Sequence, residues 1–135
     1  MTAGYSGTPL AKKLNLRDGL TCWFDRMPKS IKDEIDEYGL ELGSVDDPSR
    51  GFDVAHIFET EADDLKTKLA HLRQHVARDG HVWASWPKKG SGQETALDQA
   101  TVQRIGIDAG FIDTKKCAVD EVWSGLKFVI PKADR

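Results

Sequence analysis

At 135 residues the chain reads as a single domain, 1–135, long enough to bury a core without disulfides or a metal. The net charge of −3 is too small to argue for a polyanion, and between Asp33 and Asp64 twelve acids face one base, Arg50, which disfavours nucleic acid on that side. No run approaches the roughly 20 apolar residues of a membrane span, and Met1–Leu20 lacks a secretory-signal pattern. The expectation is a cytoplasmic protein with no nucleic-acid or membrane partner.

Residues 1–19 read as a loop and a short helix packing on a sheet. Thr8 suits an N-cap and Pro9 the first helical position. Leu10 and Leu14 would pack inward, while Lys12 and Lys13 would face water. Tyr5, Ser6 and Thr8 could fold over the sheet as a lid. Leu20–Asp25 (LTCWFD) is a buried strand. Pro28 announces a helix, with Ser30 as an alternative N-cap and Ile31, Ile35 and Tyr38 as its apolar face. Gly39 suits the left-handed position after it. Leu40–Val45 is a weak strand, and Asp46–Gly51 a turn.

Asp53–Phe58 (DVAHIF) is nearly continuous in apolar character, as a central parallel strand would be. Thr60 would cap the next helix, whose first turn carries Glu61, Asp63 and Asp64. Leu65, Leu69, Leu72 and Val76 form its stripe, and Gly80 would end it. His81–Trp86 is a third buried strand, running into the basic turn PKKGSG. Thr95 with Asp98 opens a helix carrying Leu97, Val102, Ile105 and Ala109, which Gly110 stops. Phe111–Asp120 and Val122–Ile130 are strands separated by too few residues for a parallel crossover, so they should pair antiparallel.

The order α-β-α-β-β-α-β-α-β-β implies a three-layer αβα Rossmann-like sandwich, mostly parallel, with a C-terminal antiparallel hairpin. That arrangement resembles class I S-adenosylmethionine-dependent methyltransferases, in shortened form. A closer likeness lies in three motifs, GYSGTPLAKKL, WPKKGSG and VDEVWSGLKFV, which resemble the DUF3052 family of small bacterial proteins of unknown function. The resemblance implies a methyltransferase-like domain with no assigned activity and no catalytic residues. Methyltransferases place a glycine-rich turn after their first strand. Here that position is Phe24–Pro28 (FDRMP), with no glycine and with Pro28 lacking an amide donor. The acid for the ribose hydroxyls could be Asp46 or Asp47. No cofactor is therefore expected, with S-adenosylmethionine kept open on architecture alone.

Candidate sites are few. In an α/β sheet, ligands lie beyond the carboxyl ends of strands. Lys88, Lys89, Gly90, Ser91 and Gly92 could hold an anion there, with Trp86 or Trp123 as a pocket wall. The same residues also fit a solvated loop and core packing. His71 and His75 are spaced as a metal pair but lack a third ligand, so no metal is expected. His56 fits a core histidine or, as the sharper alternative, a general base. Ser124 lacks the GxSxG elbow of a nucleophile, and Cys22 and Cys117 fit buried free thiols. Three readings follow. One is a non-catalytic binding or interaction module on a degenerate methyltransferase-like scaffold. Another is an enzyme or sensor for an anionic small molecule at Pro87–Gly92. The third, S-adenosylmethionine-dependent methyl transfer, rests on architecture alone. A homodimer is a further partner the sequence leaves open.

Overall fold

The structure is a computed structural model, and it describes residues 7–135. Six strands form one sheet in the order β2-β1-β3-β4-β6-β5. They are β1 (Thr21–Asp25), β2 (Gly43–Ser44), β3 (Phe52–Phe58), β4 (Val76–Pro87), β5 (Ile112–Ala118) and β6 (Trp123–Val129). The first four run parallel, and β6 pairs antiparallel with both β4 and β5. Four helices cover the sheet: α1 (Leu10–Lys13), α2 (Lys29–Glu37), α3 (Ala62–Arg73) and α4 (Gln99–Asp108). No helix among the described residues is long and apolar enough to cross a membrane.

Two cores lie on opposite faces of the sheet. Under α3 and α4, Leu65, Leu69, Leu72 and Val102 pack on Ala55, Ile57, Val82, Ala84 and Phe128. Under α1 and α2, Leu10, Leu14, Ile31 and Ile35 pack on Cys22, Val54, Phe58 and Trp83. Alternation along Val54–Phe58 of β3 and His81–Trp86 of β4 sends neighbours to opposite cores. That is why both strands read as continuous apolar runs. Each fully buried leucine of α3 contributes roughly 2 kcal/mol of transfer free energy.

Several boundaries differ from the sequence expectation. Pro9 and Pro28 occupy the N-cap positions themselves, so neither Thr8 nor Ser30 caps a helix. Tyr38 is exposed rather than part of the apolar face of α2. The weak strand at 40–45 shrinks to two residues at the sheet edge. Helix α3 stops at Arg73, and Val76 belongs to β4, opposite Phe52. Between the pairs Phe52–Val76 and Val54–His81 the register shifts, and Ala77–Gly80 form the extra length. Gly80 lies inside a strand because a Cβ there would sit 2.3 Å from the Asp53 carbonyl oxygen. Asp98, not Thr95, caps α4, accepting the Thr101 N–H at 2.8 Å. Thr95 instead donates to the Thr60 carbonyl at 2.6 Å.

The end of α1 is fastened to the sheet. The Leu14 carbonyl accepts the Trp83 indole N–H at 2.9 Å and lies 3.2 Å from His81 Nε2. The Lys13 carbonyl accepts Lys115 Nζ at 2.6 Å, and Lys13 itself donates to the Ala118 carbonyl. Lys13 is thus half-buried and engaged, whereas Lys12 does face water. Of the lid residues, Tyr5 and Ser6 lie outside the described residues.

Candidate functional site

The strand order reverses between β1 and β3, because the chain leaves β1 for β2 on one side and returns to β3 on the other. Ligands of open α/β sheets lie at such a switch point, beyond the carboxyl ends of the two strands. Here those ends are Asp25–Arg26 and Phe58–Glu59. Glu59 is 1% exposed. One of its oxygens accepts the N–H groups of Thr60 and Glu61 at 2.9 and 3.2 Å, which serves the amino end of α3. The other meets Lys68 Nζ at 2.8 Å and Arg26 Nη1 at 3.5 Å. Lys68 also binds Asp25. A lysine from α3 thus crosses the crevice and ties the two strand ends together.

The charges fit their places. Burial alone would raise the Glu59 pKa, but the Lys68 ammonium and the two backbone N–H groups outweigh it and hold it below the usual value. Burial likewise opposes the Lys68 charge, yet bonds to Asp25 and Glu59 raise its pKa. The FDRMP turn has Arg26 at φ 58°, the left-handed region where a glycine is at ease. A residue with a Cβ costs roughly 1 kcal/mol there, and the guanidinium it carries reaches Glu59. Lys68→Met should strand the buried Glu59 charge. We expect a loss of about 2 kcal/mol in urea unfolding at pH 7, discounted for the partial exposure of Lys68. Combined with Glu59→Gln, the loss should fall short of the sum of the two single losses.

The lysine turn is built differently from this crevice. Lys88 is committed to the C-terminal hairpin: its Nζ donates to the Asp120 carbonyl at 2.6 Å and its N–H to the Val122 carbonyl at 2.7 Å. Lys89, Gly90 and Gly92 are exposed, and Ser91 is half-buried. Gly90 and Gly92 have φ of 78° and 90°, so the turn does use their freedom. Trp86 is buried in the α3–α4 core. Trp123 packs on the other face, edge-on to Phe58 with centroids 5.1 Å apart. The two tryptophans therefore do not share a wall. Glu61 and Glu94 line the shallow groove of about 550 Å³ beside the turn.

The remaining candidates are mostly packing. His56 Nε2 lies 2.7 Å from Ser85 Oγ in the sealed interior, stacked on Phe58. Burial, with His81 nearby, lowers its pKa to about 3, so it is neutral near pH 7. His71 and His75 sit with ring centroids 4.8 Å apart. No group of three metal-ligating side chains occurs among the described residues. Cys22 and Cys117 are buried and free, and burial pushes Cys22 up to about 11, away from reactive thiolate. Ser124 is buried, opposite Trp86. Asp47 accepts from Ser49 N–H and Oγ and closes the 48–50 turn. Asp46 borders a cleft of about 360 Å³ between α2 and β2, floored by Cys22, Phe24, Ile35 and Leu42.

The sheet order and the helices on both faces define a Rossmann-like α/β domain. Solved structures agree. Magnesium protoporphyrin IX methyltransferase from Synechocystis PCC 6803 with bound SAM superposes with a TM-score of 0.55 at 14% identity, over 90% of this chain and 74% of that one. A S-adenosylmethionine-dependent methyltransferase from Clostridium acetobutylicum gives 0.55 at 10% identity, over 89% and 87%. The fibrillarin pre-rRNA processing protein of Methanococcus jannaschii gives 0.52 at 8%, over 91% and 69%. At such identities the likeness concerns the fold alone. No curated protein matches the sequence. The chain belongs to the DUF3052 family, described as a protein of unknown function, whose pattern matches residues 11–132.

Proposed function

We propose that this protein is a non-catalytic binding or interaction module, built on a methyltransferase-like scaffold whose cofactor crevice is taken up by its own side chains. One observation carries the reading: Lys68 spans the switch point and bonds both Asp25 and Glu59, where a cofactor would need open backbone. A ligand entering there would have to break the bonds of a carboxylate that is 1% exposed. Stranding that charge costs several kcal/mol, more than a small-molecule contact would return. The glycine-free turn with Arg26 supports the same reading.

Thermal unfolding with S-adenosylmethionine and S-adenosylhomocysteine tests it. A ligand at 100 times its dissociation constant stabilises by about 2.7 kcal/mol, several degrees in a domain of this size. We expect no shift at 1 mM of either compound. A clear rise with both would overturn the reading and restore methyl transfer.

The runner-up, an enzyme or sensor with an anionic ligand at Pro87–Gly92, is supported by exposed Lys89 and the two glycines at positive φ. It predicts ligand binding that Lys88→Ala with Lys89→Ala abolishes. The commitment of Lys88 to Asp120 weighs against it.

A further inference from the structure

We propose that Arg17, Lys115 and Lys127 form a binding site for a small multivalent anion of the phosphate class, on the α1 face of β5 and β6. This place is separate from both the crevice and the lysine turn. Lys115 stands opposite Lys127 in the β5–β6 register, and Lys127 stands opposite Trp83 in the β6–β4 register. Paired residues share a face, and the face is fixed by Trp83, whose indole bonds the Leu14 carbonyl under α1. The bond from Lys115 to the Lys13 carbonyl brings the end of α1 to the same spot. Arg17 follows three residues after Leu14.

Like charges directly opposite in a sheet destabilise it, and this pair lacks a counterion. None of the three cations forms an ion pair among the described residues. Nearby acids are used elsewhere: Asp18 accepts the Glu41 N–H, and Asp113 takes Gln103. Residues 1–6 contain no acid. Lys127 is half-buried, and burial together with Lys115 and Arg17 pushes its pKa down. His81 is lowered by burial and by these same three cations, so the four groups share one electrostatic neighbourhood.

An anion would relieve that repulsion. The Arg17 guanidinium can take two oxygens of a phosphate at once, and the two ammonium groups add point charges. Two cations on adjacent strands and a third from the loop after α1 match a compact, highly charged group. A long polyanion would also meet the acidic residues of α2, which lies on the same face.

The probe is inorganic pyrophosphate, titrated calorimetrically at 150 mM salt, with inorganic phosphate for comparison. Wild-type protein should bind pyrophosphate more tightly than phosphate. Lys127→Gln and Arg17→Gln should each weaken binding at least tenfold, and Lys66→Gln, at an exposed lysine of α3 on the other face of the sheet, should leave it unchanged. Lys127→Gln removes the repulsion, so it should melt at or above the wild-type temperature without ligand. Lost binding in that variant is then not lost folding. Absence of pyrophosphate binding at millimolar concentration would overturn the proposal. So would undiminished binding in Lys127→Gln, or an equal loss in Lys66→Gln, which would mark a diffuse charge effect.

Discussion

Taking the protein from pH 7 to pH 5 should cost about 3 to 4 kcal/mol of folding free energy, most of it through two histidines. His56 and His81 have folded pKa values lowered from 6.5 to about 3 and about 4. Burial is the main cause for both. His56 also feels His81, and His81 feels Lys127, Arg17 and Lys115; only its bond to the Leu14 carbonyl acts the other way. The unfolded chain therefore binds two protons that the folded chain refuses. Stability is complete above pH 6.5 and falls as the pH drops toward the folded values. The slope is about 1.4 kcal/mol per pH unit for each histidine. Carboxylates held below their ordinary values, such as Glu59, add to the loss only at lower pH. Against a usual reserve of about 5 to 15 kcal/mol, the drop is large. Urea unfolding at pH 7, 6 and 5 measures it. His81→Gln keeps a side-chain N–H for Leu14 and should remove about half of the pH dependence. A loss below 1 kcal/mol in the wild type would contradict the sealed, neutral state of both rings.

Gly80→Ala should be the most damaging single-methyl change in the sheet. Its Cβ would lie 2.3 Å from the Asp53 carbonyl oxygen, 2.9 Å from Val76 Cγ2 and 3.1 Å from the Ala77 carbonyl oxygen. Two of these are backbone atoms, which no rotamer change can move. Strands β3 and β4 would have to separate at their register shift. We expect a loss of roughly 3 kcal/mol or more, seen as a fall in melting temperature of about 10 °C. Gly39→Ala is the control. It carries φ 84° with open space around its Cβ position, so only backbone strain of roughly 1 kcal/mol applies. Equal losses in the two variants would remove the steric argument.

Gly80 also shows where the sequence misleads. Leu65, Leu69, Leu72 and Val76 keep helical spacing across a helix that stops at Arg73. Val76 is buried by pairing with Phe52, and no local pattern distinguishes that burial from packing on a helix face. A glycine four residues later then resembles a helix stop. The parallel strands, by contrast, were legible because burial on both faces leaves apolar runs that turns interrupt. The crevice was half legible. FDRMP shows no glycine, and Asp25 ends an obvious strand. Lys68 and Glu59 meet only because α3 lies back over β3, and their spacing of nine residues matches no local motif. The signal available was a lone acid closing an apolar strand just before a helix. Lys115 and Lys127 are visible as charges in strands, but their opposition depends on the register shift between Asp113 and Lys115.

The place of β6 has a consequence for how the chain acquires its structure during synthesis. The last strand of the described residues, β6, lies between β4 and β5 rather than outside them. Until Trp123–Val129 leaves the ribosome, β5 has no ladder partner and one whole edge of β4 stands open. The fastening of α1 is incomplete as well, because Lys115 reaches it from β5. An unpaired, apolar β4 is an aggregation hazard in a growing chain. The sheet around β4 therefore closes only once β6 is available, with α1 and β6 settling on it together.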